Sequence, residues 1–317
     1  MRMLRRLFLL VLLTAVALPA CRQAQPDDVM LHTGRDKALV GPIVERFAKT
    51  TGISAKTRAD VVWTKGAGPL GLLQQGNLLA PLPDSITSRV PEPFRSDEGA
   101  WVGLSGRGHV LVHDDSLADV TAVPRSVFAL ADSSYHGRVG WSPSSDSFQD
   151  LVTAMRLIAG ADSTRGWLKA VYEGGVQVYQ PGEIVRKVAD GDKTFVLTTH
   201  DDFYRTRGED DSLAARLARF RPGDPGNLID AASVGILQGS EQKQRARRLV
   251  SYLLSEAAQR HFAASAYEYP LAEGVVLPDT MQMAGADRLP ELAPDFDLGK
   301  LHRSDSSRAL LREVGIL

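Results

Sequence analysis

Apolar and polar positions alternate with two periodicities along most of the chain, one typical of strands and one typical of helices. Residues 29–33 are strand-like, and residues 37–50 carry apolar side chains at positions 39, 40, 43, 44 and 47, which is a helical spacing. Further strand-like runs are residues 60–63, 102–113, 139–142, 176–179, 195–199 and 228–237. Helix-like segments lie between them at residues 148–159, 163–173, 182–189, 241–254 and 257–264. This alternation predicts an α/β protein with mostly parallel sheets.

The first twenty residues show neither periodicity. Arg2, Arg5 and Arg6 precede an apolar run at residues 7–18, and no acidic residue occurs there. A membrane-spanning helix needs about 20 apolar residues, whereas a shorter run after basic residues is typical of a secretory signal peptide. The sequence therefore predicts an exported protein with a signal peptide at residues 1–20.

Composition narrows the class of protein further. The chain has 317 residues with 37 Lys+Arg against 38 Asp+Glu, a net charge of −1 and 44% hydrophobic residues. These proportions exclude a disordered chain, a collagen-like repeat and a polytopic membrane protein, and the balanced charge argues against broad nucleic-acid binding. The length predicts two lobes that each bury a core. The lone cysteine, Cys21, excludes a disulfide framework.

Motifs for catalysis are missing from the sequence. It contains no HExxH, no phosphate-binding GxxxxGK[ST] and no GxSxG nucleophile elbow. Residues 66–71 fit GxGxxG after a strand-like run, but Pro81 and Pro83 follow where a dinucleotide-binding domain needs a second parallel strand. We therefore interpret residues 66–71 as the glycine-rich start of a short helix, and we expect no enzyme.

Seven segments, taken in order, resemble one family of binding proteins. They are residues 29–35 (VMLHTGR), 78–83 (LLAPLP), 101–107 (WVGLSGR), 137–143 (GRVGWSP), 223–226 (GDPG), 254–260 (LSEAAQR) and 267–271 (YEYPL). On these segments the chain resembles the iron(III)-type solute-binding proteins of ABC importers, the ferric-ion-binding members of the periplasmic binding proteins. Residues 18–21 (LPAC) are similar to the lipobox of bacterial lipoproteins, which implies that Cys21 becomes an acylated N-terminus.

The resemblance implies a two-lobe, type II-like periplasmic-binding-protein fold of the α/β class, with an interlobe cleft that holds the solute. We expect residues 29–112 with 228–271 in one lobe and residues 113–227 in the other. The lipidated tether is residues 21–28, and the tail at residues 272–317, with a final helix, is left unassigned. The implied partners are a small solute or metal ion, an ABC permease and ATPase, and a membrane reached through the lipid on Cys21; no nucleic acid is expected.

Every metal ligand that the resemblance implies is replaced in this sequence. The family's paired tyrosines fall on Asp201 and Asp202, its histidine on Asp36 and its glutamate on Lys65. Carboxylates are hard oxygen donors, so Asp36, Asp201 and Asp202 are candidate ligands for iron(III) or another hard cation. The same three carboxylates would also suit a cationic organic solute. Alternatively, Asp201 and Asp202 cap a helix that begins near residue 203.

A second group of residues is a candidate site for the anionic part of a solute. Ser145 and Ser147 precede a predicted helix where the family binds a synergistic anion, and hydroxyls at a helix N-terminus suit an anion. Asp146, between them, opposes this. Arg107 matches a family arginine and would partner a carboxylate or an anion, or else form a surface or interlobe salt bridge. Thr199 completes the candidate site. No cofactor is required, although a bound cation, with or without such an anion, is compatible with these residues.

Residues 57–59 mark a departure from the family. They alone separate the strand-like runs 53–56 and 60–63, whereas a parallel crossover needs about a dozen residues. We expect either one bent strand or a hairpin there, and a thinner wall beside the cleft.

Three functions remain open at this point. The expected one is a lipid-anchored, extracytoplasmic solute receptor of an ABC importer, of the iron(III) or metal type or for a cationic organic or oxyanion solute. The second is a degenerate binding protein that acts as a sensor or docking module. The third is an extracytoplasmic enzyme using His200, Asp201 and Asp202, but no nucleophile or oxyanion arrangement accompanies these residues.

Overall fold

The computed structural model describes residues 28–53, 55–117, 122–277, 283 and 288–317, without the side chains of residues 55–59. The predicted signal peptide at residues 1–20, Cys21 and the tether up to residue 27 lie outside the described residues. The strands are β1 (Val29–Thr33), β2 (Ala55–Trp63), β3 (Leu79–Ala80), β4 (Trp101–Asp114), β5 (Val139–Trp141), β6 (Gln177–Val178), β7 (Phe195–Thr199), β8 (Ala215–Ala218), β9 (Ile229–Leu237) and β10 (Tyr269–Pro270). The α-helices are α1 (Lys37–Thr51), α2 (Gly68–Gln75), α3 (Asp84–Thr87), α4 (Asp146–Ala159), α5 (Ala161–Glu173), α6 (Ile184–Ala189), α7 (His200–Glu209), α8 (Lys243–Leu253), α9 (Glu256–Ala266), α10 (Leu289–Leu292) and α11 (Ser304–Glu313).

The described strands form one sheet in the order β1-β2-β9-β4-β7-β5-β6, with β3 beside β9 and with β8 and β10 beside β4. The pairings β1–β2, β5–β6 and β5–β7 are parallel, and the other six described pairings are antiparallel. The α/β class is confirmed, but the prediction of mostly parallel sheets is wrong. The reason is that β4 and β9 run antiparallel through the centre, and every other antiparallel pairing is made to one of them.

Strand β4 joins the two halves of this sheet. Its residues 101–108 pair with β9, and its residues 109–114 pair with β7 and β8. All but the last of its residues are buried, as expected for a strand at the centre of a molecule. At the change of partner, the backbone N–H of His109 donates to the carbonyl of Leu228 at 2.8 Å, just before β9 begins. The chain therefore crosses between the β9 half and the β7 half of the sheet twice at the same place, once within β4 and once at Leu228.

The segment around residues 57–59 forms one continuous strand, so the first of the two alternatives is confirmed. Strand β2 pairs with β1 in parallel, but the register shifts between Met30, which faces Lys56, and Leu31, which faces Val61. Residues 57–60 are therefore accommodated as an irregularity within the strand. No crossover helix is needed, because the chain continues in the same direction along the same partner.

The C-terminal tail touches both halves of the molecule. Helix α11 packs on α4, where Thr153 Oγ1 donates to Ser307 Oγ at 2.9 Å. The 3-10 helix at Leu298–Arg303 packs on α2, so closely that a Cβ built at Gly71 would lie 2.0 Å from the carbonyl oxygen of Gly299. Glycine at position 71 is therefore required by this backbone contact.

Two local predictions can be compared with these elements. Helix α2 begins at Gly68 with Pro69 in its first turn, which confirms residues 66–71 as the glycine-rich start of a short helix. The helix expected near residue 203 begins earlier, at His200, directly after β7. Within the described residues, no helix combines the length and the apolar character needed to cross a bilayer.

Candidate functional site

One cleft brings the sequence-predicted site residues together. It has a volume of about 870 Å³, and its lining includes all eight of them: Asp36, Lys65, Arg107, Ser145, Ser147, Thr199, Asp201 and Asp202. The N-termini of α1, α4 and α7 and the C-terminal end of α9 meet around it. The first turns of three helices therefore present backbone N–H groups and short polar side chains toward one space.

Two buried ion pairs, formed by Arg35, Arg107, Asp230 and Glu268, support the cleft, and we call these four residues the paired set. Arg35 Nη2 donates to both carboxylate oxygens of Glu268, at 2.7 and 2.8 Å. Ser105 Oγ donates to the same carboxylate at 2.5 Å. Arg107 Nη2 donates to Asp230 at 2.9 Å and to the backbone carbonyl of Lys65 at 3.0 Å. These bonds hold the loop after β2 and the end of α9 against β4.

The electrostatic balance around Arg107 keeps this residue charged. Burial alone lowers the pKa of Arg107, but the carboxylates of Asp230, Asp201 and Glu268 more than offset that effect, so its pKa is raised. Gly66 lies against the same pair, since a Cβ there would be 2.6 Å from Asp230 Oδ2. Arg107 lines the cleft as predicted, and its guanidinium is engaged as an internal salt bridge.

The first turn of α7 forms another wall, and we call its charged residues Asp201, Asp202 and Arg205 the α7 set. Asp202 accepts from Thr198 Oγ1 at 3.0 Å and from Arg205 at 3.3 Å. Arg205 also lies 3.5 Å from Asp201 Oδ2, whereas Asp201 Oδ1 is buried without a hydrogen-bond partner among the described residues. Burial, and then the charge of Asp201, raises the pKa of Asp202. This wall therefore favours the approach of a further cation.

Asp36 and Lys65 lie elsewhere on the cleft lining, and both are exposed. The Asp36 carboxylate caps α1 by accepting from the N–H of Ala38 at 2.6 Å. The ammonium of Lys65 forms no ion pair with any carboxylate in the described part of the chain. Lys65 is therefore the basic residue of the cleft without an ion-pair partner among the described residues, and at longer range its charge acts on the carboxyl of Asp150.

Ser145 and Ser147 line the cleft at the start of α4, where their hydroxyls take part in local bonds. Ser145 Oγ accepts from the N–H of Phe148 at 3.2 Å and donates to the carbonyl of Ser142 at 2.8 Å. Ser147 Oγ donates to Ser145 Oγ at 3.3 Å. Ser145 is thus the N-cap of α4, and Ser147 has the looser contact of the two.

Asp36, Asp201 and Asp202 line the same cleft but form no preassembled metal site. Among the residues that the structure describes, no group of three His, Cys, Asp or Glu side chains is arranged to hold a metal ion. Asp201 and Asp202 also do not cap α7, because its N-cap residue is Thr199 and both carboxylates lie in the first helical turn. A carboxylate in that turn still interacts favourably with the helix dipole.

Two buried histidines flank the cleft, and only one of them was considered from the sequence. His200 stacks on Tyr269 with ring centroids 3.6 Å apart, and its Nδ1 accepts from the N–H of Gly108 at 3.0 Å. Burial, and then the charge of Arg219, lowers the pKa of His200 well below its usual value. His200 does not line the cleft, so it is poorly placed as an acid or base acting on a solute.

The other histidine, His109, lies where β4 changes partner. Its ring nitrogens lie 2.9 Å from the carbonyl of Leu228 and 2.8 Å from the carbonyl of Ser147. The ring therefore links the second crossing of the chain to the first turn of α4. Neither His109 nor the acids of the paired set, Asp230 and Glu268, stood out in the sequence, because nothing local marks a long-range partner.

The chain matches known proteins over most of its length. A profile of the family described as bacterial extracellular solute-binding protein matches residues 56–295. The chain is 28% identical to the major ferric iron-binding protein of Neisseria meningitidis serogroup A, covering 96% of this chain and 97% of that protein. It is 24% identical to the Fe(3+)-binding periplasmic protein of Serratia marcescens, covering 91% of this chain and 90% of that protein.

A solved structure shows the same arrangement of lobes. Iron-bound HitA from Pseudomonas aeruginosa superposes with a TM-score of 0.77 at 26% identity, covering 92% of this chain and 100% of HitA. The fold is thus the expected two-lobe fold of periplasmic binding proteins. The profile match covers most of the chain, and we conclude that the chain belongs to the bacterial extracellular solute-binding protein family.

Proposed function

We propose that this protein captures a small solute in the cleft, outside the cytoplasm, and delivers it to the permease and ATPase of an ABC importer. The observation that carries the proposal is the cleft itself, which gathers the eight predicted residues. One of them is Asp201, whose Oδ1 is buried 4.0 Å from His200 Nδ1 and has no hydrogen-bond partner among the described residues. A buried carboxylate oxygen without a partner is costly unless a bound group completes its hydrogen bonds. The family membership supports a transport role rather than catalysis.

The same proposal includes a division into lobes. Residues 29–112 with 228–271 would form one lobe and residues 113–227 the other, with the crossings at His109 and Leu228 as the hinge. Strand β4 changes partner between Gly108 and His109, four residues before the predicted boundary, which supports a division near that place. In this arrangement Asp36 and Lys65 approach the cleft from the first lobe and Asp201 and Asp202 from the second, so closure brings them together.

Iron(III) is one candidate solute, because the relatives named above are ferric iron-binding proteins. A hard cation would use the carboxylates of Asp201 and Asp202, with Asp36 reaching it on closure. Such an ion would need a further donor, such as an anion bound at Ser147. Acylation at Cys21 would hold the protein at a membrane surface.

A thermal-shift screen of the exported protein tests the proposal. The panel contains ferric citrate and ferric phosphate, divalent metals, amines, zwitterions and oxyanions. A ligand at 100 times its Kd adds about 2.7 kcal/mol to the free energy of unfolding, which is a shift of a few degrees for a protein of this size. We expect at least one class to give this shift in the wild type. A flat response to every class would contradict the proposed function and favour a sensor or docking role.

A further inference from the structure

Negative and positive charge are in excess at two different places of the cleft. Asp201 and Asp202 share one ion-pair partner, Arg205. Asp201 Oδ1 accepts no hydrogen bond within the described residues, although the side chain is only 9% exposed. Lys65 is exposed on the cleft lining, and its ammonium pairs with no described carboxylate. The remaining basic groups of the cleft, Arg35, Arg107 and Arg205, each have a carboxylate partner.

From this separation of charge we propose that the solute is a small organic zwitterion, with an amine or guanidine bound by Asp201 and Asp202 and a carboxylate bound by Lys65. The inference rests on the proposed function, that the cleft takes a solute, and it narrows the solute to one chemical class. The cationic end would meet the excess negative charge of the α7 set, and the anionic end would meet the ammonium of Lys65.

The cationic end suits the first turn of α7 better than a bare metal ion does. An ammonium needs two or three hydrogen-bond acceptors, and Asp201 and Asp202 supply them on one wall. A metal ion needs a fuller set of donors, and no group of three is arranged for it among the described residues. Arg205 is half exposed and makes only contacts of 3.3 and 3.5 Å, so an incoming ammonium can displace it.

The anionic end is assigned to Lys65 because the charges of Arg35 and Arg107 are each paired with a buried carboxylate, although the Nε of each has no hydrogen-bond partner among the described residues. Arg107 is held by Asp230 and by the carbonyl of Lys65, and Arg35 is held by both oxygens of Glu268. Lys65 would also repel a metal ion bound at Asp201. The volume of about 870 Å³ is within the range of sites for organic ligands, which is about 300–1,000 Å³.

Isothermal titration of the exported protein with matched ligands tests the inference. γ-Aminobutyrate, δ-aminovalerate and arginine are compared with butylamine and butyrate, which each carry one of the two charges. We expect at least one zwitterion to bind about tenfold or more tightly than either single-charge ligand, which is about 1.4 kcal/mol. Lys65→Gln should abolish the preference for the zwitterion over the amine. Asp201→Asn should abolish the preference for the zwitterion over the acid.

A charge reversal and a remote control make the outcome decisive. Lys65→Glu should prefer putrescine, a diamine, to every zwitterion. Lys169→Gln, at an exposed position of α5, should behave as the wild type. Circular dichroism and the Tm without ligand show whether each variant is folded. If ferric citrate stabilises the wild type and all zwitterions are inactive, this inference is overturned while the proposed function stands. If no ligand of any class binds, both fall.

Discussion

The α7 set and three residues of the paired set, Arg35, Arg107 and Glu268, line the same cleft. The two sets hold their charges in different ways. In the paired set the ion pairs measure 2.7 and 2.9 Å, and the four side chains are 2–8% exposed. In the α7 set Arg205 is 3.3 to 3.5 Å from its two carboxylates, and its side chain is 49% exposed. The first set matches each arginine with one carboxylate, although the Nε atoms of Arg35 and Arg107 are buried without a hydrogen-bond partner among the described residues. The second set places two carboxylates around one arginine.

This difference separates structural charges from charges available to a solute. In a buried ion pair at short distance each charge neutralises the other, and the pair mainly fixes the backbone around it. A loose pair at a surface adds little stability, so its exchange for contacts with a solute costs little. Substitutions in the paired set should therefore lower the stability of the protein, whereas substitutions in the α7 set should mainly lower its affinity for a solute.

The largest loss of stability is expected for Asp230→Ala. Removing this carboxylate leaves the Arg107 guanidinium buried without its counter-ion, which costs about 3–5 kcal/mol. At about 2 °C per kcal/mol the Tm should fall by roughly 6–10 °C in a thermal melt. The double variant Arg107→Met/Asp230→Leu should recover much of the loss, and equal losses in the single and double variants would show that the pair is not the cause.

A smaller loss is expected for Glu268→Gln, which keeps the shape of the side chain and removes its charge. Arg35 then loses its counter-ion, and the amide nitrogen faces either Arg35 or the hydroxyl of Ser105. Losing a hydrogen bond to a charged group costs about 1.5–3 kcal/mol, measurable by urea unfolding. Glu273→Gln, at an exposed position, serves as the control and should leave the unfolding midpoint unchanged.

Arg205→Gln should have little effect on stability, in contrast to both substitutions in the paired set. Arg205 is half exposed and its contacts measure 3.3 and 3.5 Å, so we expect its pairs to contribute about 0–1 kcal/mol and to weaken with added salt. Unfolding of the wild type and the variant at low and high salt measures the difference. A loss as large as that of Asp230→Ala would remove the distinction between the two sets.

The smallest expected effect is a pH-dependent gain in stability for Asp202→Asn. Burial and the charge of Asp201 raise the pKa of Asp202 in the folded state, so the folded protein holds this proton to higher pH than the unfolded chain does. Stability therefore falls as the pH rises from the ordinary aspartate range through the raised pKa. The variant cannot ionise, so its Tm should exceed that of the wild type at pH 7 and equal it near pH 3.5. An unchanged difference at both values would contradict this origin.

Features of the fold and of the site that depend on local sequence patterns could be predicted from the sequence. Strand β1 has the predicted bounds, and the resemblance to a family located Asp36, Lys65, Asp201 and Asp202, which the fold brings to one cleft. The antiparallel centre was missed because strand direction depends on the return of β9 from residues far along the chain. Asp230 was missed because it lies in an apolar strand, and only the folded structure places it beside Arg107.

The most direct test of the central claim is a calorimetric titration of a stabilising solute into the wild type and into Asp201→Asn/Asp202→Asn, with Asp162→Asn on exposed α5 as the matched control. Solute capture by the α7 set predicts saturable, one-to-one binding in the wild type and the control, and a loss of affinity of about a hundredfold in the double variant. Equal affinity in all three proteins would contradict a solute site at this wall of the cleft.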